Sequence, residues 1–268
     1  MSYDFDEFIV TAQYAPTHVN NAIQSIRKIN RKEIAQFGVT NLEQLLSQDL
    51  SIRIQQDMQL GSSLKLQGVE GENVKIMIDG IPIIGRLDGN IDLGQINLDN
   101  VISVEIIEGP MSVNYGSDAL GGVINLITKK SQVPRSELSL GQQFESRGEN
   151  RTMIAAGQRF KDHWLFRMNI GRDKFSGIKS DTMRAKLWNP KEQYFGDFSL
   201  RRNFLTDHQI HFKVSLFDET IDNLGAKRRP QFKPYAFDEY FQTQRQNLAL
   251  LHEGTVGTNF YLQSNTGI

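Results

Sequence analysis

From residue 136 onward the chain alternates apolar and polar residues with period two. Trp164, Phe166, Met168 and Ile170 alternate with Leu165, Arg167, Asn169 and Gly171, and Ile210, Phe212, Val214 and Leu216 with His211, Lys213 and Ser215. Side chains on a strand point to opposite faces in turn, so the pattern predicts strands with one apolar face. Seven such segments lie near 136–146, 150–160, 163–172, 193–205, 208–218, 239–251 and 257–267. Most have the roughly ten residues with which a tilted strand crosses a bilayer. Tight turns are expected near Lys161-Asp162, Thr206-Asp207 and Glu253-Gly254, a short connection near Arg147-Gly148, and long polar loops at 173–192 and 219–238. Turns on one rim and loops on the other are the meander of a membrane barrel. A soluble antiparallel sandwich also alternates, so the pattern leaves both open. Phe160, Trp164, Tyr194, Phe204 and Tyr240, near strand ends, are candidates for interfacial aromatic girdles.

Residues up to about Lys130 follow a different grammar, mixing short strands with at least one helix. "VTNLEQLLSQ" places Thr40 three residues before Glu43, which predicts a capping box, and puts Leu42, Leu45 and Leu46 on one helical face. Strand-like runs follow in "SLKLQGV", "NVKIMIDGIPII", "VISVEIIEG" and "GGVINLITK", and Asp79-Gly80 is a strong hairpin-turn signal. The chain as a whole reads as an α+β domain followed by antiparallel β-barrel strands. Its 268 residues carry 30 basic and 31 acidic side chains, so no basic surplus draws it to nucleic acid. The absence of cysteine excludes disulfides, thiolate metal sites and a cysteine nucleophile. No run of 18 apolar residues provides a transmembrane helix, and "MSYDFDEFIV" lacks the basic start of a signal peptide.

The glycine-rich stretch "EGPMSVNYGSDALGGVINLITKK" resembles a phosphate-binding loop only superficially. Gly116 and Gly121 have the P-loop separation, but Gly122 stands where its lysine belongs, and a β-branched strand follows where a helix is required. The glycines make sense as geometry: Gly109-Pro110 ends a strand, and Gly116, Gly121 and Gly122 permit positive φ or close backbone approach.

With "MIDGIPI" upstream, this stretch resembles the plug-domain signature of TonB-dependent outer-membrane receptors, a family that includes cobalamin and ferric-siderophore transporters. The resemblance covers roughly residues 6–130 and implies a TonB-box segment at 1–15, a plug domain at 16–130 and the first seven strands of a transmembrane barrel at 131–268. The plug motif it carries over comprises Asp79, Gly80, Gly109, Pro110, Tyr115, Gly116, Gly121, Gly122 and Asn125. "DEFIVTAQ" resembles a TonB box centred on Phe8, Ile9, Val10, Thr11 and Ala12, which implies pairing as an added strand with the TonB energy-coupling protein. Apex loops that meet a small-molecule ligand in the family correspond to Gln55–Leu60 and Ile84–Asn90. Gln56, Asp57, Arg86 and Asp88 are its candidate hydrogen-bonding residues, with Met58 and Leu87 for an apolar ligand face. The ligand class implied is a metal chelate, haem or cobalamin, and the surroundings are outer-membrane lipid; no cofactor, resident metal or catalytic residue is implied. Two positions depart from the family. Gln67 and Glu108 stand where many members have arginine before glycine, so Glu108 calls for a basic or hydrogen-bond-donating partner.

Other chemistry is poorly supported. His208 and His211 are three apart on a strand and point to opposite faces, so they do not chelate one metal. Ser117 lacks the glycine at 119 that a nucleophile elbow requires. The cluster Lys227, Arg228, Arg229, Lys233 and Tyr235 reads as a solvated external loop that also suits an anionic ligand. Transporters of this class close about 22 strands around the plug. The chain is therefore expected to be the N-terminal part of a longer receptor. A secreted adhesion or carbohydrate-binding β-protein with an α+β head is the alternative, and it predicts a chain soluble without detergent.

Overall fold

Asn30 both ends a strand and starts a helix. The computed structural model describes residues 8–9, 17–18, 26–57, 61–66, 68–70, 73–83, 91–110, 119–129, 136–160, 163–179, 184–204, 208–228, 233–256 and 260–267. They form two compact units, Met1–Lys130 and Ser131–Ile268. The first contains β1 (Phe8–Ile9), β2 (Thr17–His18), β3 (Ile26–Asn30), α1 (Arg31–Phe37), α2 (Leu42–Leu46), β4 (Ile52–Asp57), β5 (Gly61–Leu66), β6 (Val69–Glu70), β7 (Val74–Ile78), β8 (Ile81–Pro82), β9 (Val101–Glu108) and β10 (Gly122–Thr128).

At α1 the Asn30 side chain accepts from the Glu33 amide at 3.1 Å, while the Glu33 carboxylate accepts from the Asn30 amide at 2.7 Å. That reciprocal pair is a capping box. Gly38, at φ 65°, closes the helix in the left-handed conformation that glycine adopts without steric cost. The cap of α2 sits one residue later than the Thr40–Glu43 spacing predicts. Asn41, in an extended conformation, accepts from the Gln44 amide at 2.9 Å, and Gln44 reaches back to the Thr40 amide at 2.9 Å. The short Asn41 amide oxygen reaches the third helical N–H, and Thr40 lies too far out to compete. Leu42, Leu45 and Leu46 are all fully buried, as their common face requires.

The central sheet of this unit has the order β3-β9-β10-β7-β8. β9 and β10 are antiparallel, and β10 runs parallel to β7. Val104, Ile106, Ile124, Leu126 and Ile76 join the helical leucines in one core. Ile107, Val123 and Ile127 are buried as well, which is why "VISVEIIE" and "GVINLIT" read as near-continuous apolar runs rather than alternating ones. A second sheet, β4-β5-β6, packs its Ile52, Leu64 and Leu66 into the same core. The segment Gln55–Asp57, expected in a loop, belongs to β4, where Asp57 pairs with Gly61.

The second unit comprises β11 (Ser136–Phe144), β12 (Glu149–Phe160), β13 (Trp164–Phe175), the short hairpin β14 (Ile178–Lys179) and β15 (Lys186–Trp188), then β16 (Lys191–Phe204), β17 (His208–Leu224), β18 (Asp238–Val256) and β19 (Phe260–Gly267). Among the described residues seven of these strands form one antiparallel sheet in the order β11-β12-β13-β16-β17-β18-β19. The sheet does not close on itself. Its register aligns Leu138, Ala156, Met168, Phe198, Val214 and Leu248 in one row, flanked by rows carrying Leu140, Ile154 and Ile170, and Phe166, Leu200, Phe212 and Leu250. Leu138, Leu140, Leu200, Phe212, Leu216, Leu248 and Leu250 remain exposed. A sandwich would cover such a face; a barrel turns it toward lipid.

This apolar band stops at a polar row of Gln142, Thr152, Arg172, Tyr194, Asp218 and Gln244. There Thr152 donates to Gln142 at 2.8 Å, Tyr194 to Glu192 at 2.7 Å and Gln244 to Asp218 at 2.8 Å. The opposite face is polar, with Gln193 donating to buried Glu219 at 2.7 Å and Ser215 to Asp197 at 2.7 Å. Apolar outside and polar inside is the barrel arrangement. β17 and β18 continue past the polar row, so the loops expected at 173–192 and 219–238 shrink to 176–190 and 225–237. Tyr240, opposite Asp222, consequently lies beyond the band's edge, while Phe160 faces Trp164 at its tight-turn end.

Candidate functional site

Three of the residues carried over from the motif, Asp79, Gly80 and Asn125, converge on the turn between β7 and β8. Asp79 and Gly80 have φ of 50° and 80°, and Ile78 pairs with Ile81 across them, which makes the two-residue primed hairpin that Asp-Gly favours. Asp79 turns its carboxylate away from its own hairpin and toward the end of β10. It accepts from the Thr128 amide at 2.9 Å and from the Thr128 hydroxyl at 2.5 Å. The Asp79 amide donates to the Leu126 carbonyl at 2.9 Å, and the Gly80 amide donates to Asn125 Oδ1 at 3.0 Å. Asp79, Gly80 and Asn125 thus form a clasp between the β7–β8 turn and the strand 45 or more residues later. Sequence reading identified all three but not Thr128, whose role emerges only from the parallel pairing of β10 with β7.

The glycines of the motif lie at the other end of β10, where Gly122 pairs with Val74 of β7 and Glu108 of β9. Gly122, at φ 143°, lies so close to the neighbouring strand that an added Cβ would stand 2.3 Å from the Ile107 carbonyl oxygen. A Cβ on Gly121 would stand 2.8 Å from Val69 Cγ1. Gly109 has φ 104° and leaves β9 just before Pro110, its amide donating to the Gly121 carbonyl at 3.3 Å. Tyr115 and Gly116 lie outside the described residues. Glu108, which stands where arginine is common, receives a hydrogen bond from the neutral Ser51 hydroxyl at 3.1 Å. Gln67 is outside the described residues.

Of the candidate ligand-contacting residues, exposed Gln56 is held by α2, donating to Glu43 at 2.6 Å. Asp57 ends β4, and Met58, Arg86, Leu87 and Asp88 lie outside the described residues. One residue that sequence reading passed over follows the second stretch in the chain. Buried Asp92 accepts through Oδ1 from the Ser62 amide at 3.0 Å, the Ser62 hydroxyl at 3.1 Å and the Gly94 amide at 3.0 Å. Its carboxylate occupies the space that a side chain on Gly61 would fill, 2.1 Å from such a Cβ. Of the proposed box, Phe8–Ile9 pairs antiparallel with Thr17–His18, and Val10, Thr11 and Ala12 lie outside the described residues.

Beyond the polar row of the second unit, Arg184 and Asp238 tie the 176–190 connection to the start of β18. Both guanidinium nitrogens lie 2.5 Å from the two carboxylate oxygens, and the Gly225 amide adds a third donor at 3.2 Å. The Arg184 hydrogen bonds, more than the Gly225 amide, hold the Asp238 carboxyl below the usual carboxylate range. Arg228 and Tyr235 of the basic cluster close a small bridge through backbone hydrogen bonds of 2.9 and 3.0 Å, and Arg229 is outside the described residues. His211 and His208 lie on opposite faces, as expected, with His211 buried. The neighbour of His208 is His252 on the next strand.

Residues 18–123 match the family model of the TonB-dependent receptor plug domain. The vitamin B12 transporter BtuB of Vibrio cholerae is 27% identical over 261 residues, 94% of this chain and 40% of the transporter. The ferric yersiniabactin uptake receptor FyuA of Yersinia pestis superposes with a TM-score of 0.71 at 20% identity, covering 87% of this chain and 39% of that receptor. The ferripyoverdine receptor of the outer membrane of Pseudomonas aeruginosa gives a TM-score of 0.71 at 14% identity, over 96% and 35% of the two chains. These likenesses show a shared fold, and the chain spans about 40% of the length of the curated relatives it matches. Residues 18–123 thus carry the plug domain of TonB-dependent receptors, and the antiparallel strands that follow share the fold of outer-membrane receptors such as these.

Proposed function

We propose that this chain, as part of a complete receptor, imports a scarce ligand too large for porins: a ferric siderophore, haem or cobalamin. The observation that carries the reading is a plug domain directly followed by strands whose outer face is apolar and whose inner face is polar. Relatives named for vitamin B12, ferric yersiniabactin and ferripyoverdine support the ligand class. In this reading residues 1–15 hold the TonB box, 16–130 the plug and 131–268 the first seven barrel strands. Gln56, Asp57, Met58, Arg86, Leu87 and Asp88 contact the ligand at the plug apices. Occupancy there biases Phe8–Ala12 toward release, a shift that requires the ligand to contact the two states differently. TonB then pairs with the released strand through main-chain hydrogen bonds, and force from the inner membrane rearranges the plug.

Deleting Phe8–Ala12 from the protein expressed from its complete gene tests this. Uptake of radiolabelled cobalamin and of ferric siderophores is expected to vanish for the true ligand while its binding to cells persists. Loss of binding along with uptake would show the segment to be structural.

A further inference from the structure

The tight-turn end of the second unit carries an arrangement that transport does not explain. On the exposed face, His208 of β17 and His252 of β18 bring Nδ1 and Nε2 to 3.3 Å of one another. Their rings are nearly parallel, 15° apart with centroids at 5.5 Å. Phe204 of β16 lies against both, with centroids at 5.7 Å from His208 and 6.1 Å from His252. Gly254 clears the space on the other side, since a Cβ there would fall 2.1 Å from His208 Nδ1. Three strands and an absent side chain therefore converge on one pair of imidazole nitrogens, both only partly buried.

We propose that His208 and His252 form a binding site for a divalent transition-metal ion of the zinc, copper or nickel class. The spacing of the two nitrogens suits a shared metal ion. Nitrogen donors in good hydrogen bonds stand about 2.9–3.0 Å from their acceptors, and 3.3 Å is longer than that. Two imidazoles bound to one tetrahedral zinc, at about 2.0–2.1 Å each, have nitrogens about 3.3 Å apart. Imidazole nitrogen is the donor these ions share, whereas calcium and magnesium require oxygen. No group of three or more metal-binding side chains occurs among the described residues, so water completes the coordination. In the bound form the proton sits on Nε2 of His208 and Nδ1 of His252, leaving the facing nitrogens as donors. The site does not rest on the uptake reading, because neither histidine belongs to the plug or to the proposed ligand surface.

The test uses the receptor expressed from its complete gene, in detergent, with any affinity tag removed. Calorimetric titration with zinc is expected to show one more equivalent bound by the wild type than by the His208→Ala, His252→Ala double variant. Each single variant should bind at least tenfold more weakly, and His163→Ala should match the wild type. Copper added in place of zinc should give an electron paramagnetic resonance spectrum with two-nitrogen coupling that either single variant loses. His208→Gln and His252→Gln repeat the comparison with a polar side chain kept, so that lost binding is separated from lost folding. Equal zinc uptake by wild type and double variant overturns the proposal and leaves the contact as an imidazole hydrogen bond.

Discussion

At Gly122 one methyl group decides whether two strands can pair. The residue is opposite Glu108 in the β9–β10 ladder at φ 143°, and a Cβ would meet both the Ile107 carbonyl oxygen and Leu66 Cδ2. Neither obstacle yields cheaply, because one is backbone and the other belongs to the core. Gly122→Ala is expected to destabilise a separately expressed 16–130 domain by about 3 kcal/mol, combining overpacking with positive-φ strain. Urea unfolding followed by circular dichroism measures it, and a loss under about 1 kcal/mol would show that the ladder relaxes around the methyl. Asp79 acts differently, through reach. Its carboxylate bonds Thr128, 49 residues away, so the turn that sequence marks as local is also a long-range fastener.

Elements follow from the rows that residues share. Val214 stands in the middle of the apolar band, whereas exposed Thr220 lies past the polar row. Arginine at Val214 should therefore cost about 2–4 kcal/mol of folding into lipid, and arginine at Thr220 about 0–1 kcal/mol. Folding yields into liposomes of the complete receptor report the difference, and equal effects would mean that the band is not the membrane face. At the loop end, Asp238 has its folded-state pKa lowered by Arg184. A depressed carboxylate contributes above its unfolded value, near 4, and loses its contribution as pH falls through the lower folded value. The tether between the 176–190 and 225–237 connections should thus hold at neutral pH and loosen only in strong acid. Limited proteolysis of these connections tests this: Asp238→Asn should be cut faster than wild type at pH 7, and the two should converge below about pH 3.

At the scale of the molecule, the seven strands that form an unclosed sheet among the described residues leave two edges, β11 and β19, together with a broad exposed apolar face. Unpaired amides at such edges cost several kcal/mol each in lipid, and an uncovered apolar face in water drives association. The 268 residues expressed alone are expected to aggregate without detergent. A monodisperse soluble chain by light scattering would favour the secreted β-protein alternative.

Much of this architecture is legible in the primary structure because it is periodic or local. The strands of the second unit, the faces of residues such as His208 and His211, the Asp79-Gly80 turn and the glycine-rich joint all follow from spacing within a few residues. The short elements Ile26–Asn30 and Arg31–Phe37 escape such reading, since two helical turns and five strand residues are too brief to show a period. Tertiary structure alone decided that Asp79 meets Thr128, that Asp92 meets Ser62, that His208 meets His252 and that the apolar face stays uncovered. Those outcomes depend on register and order among distant strands, which are set by the summed packing of the whole sheet and by no single segment.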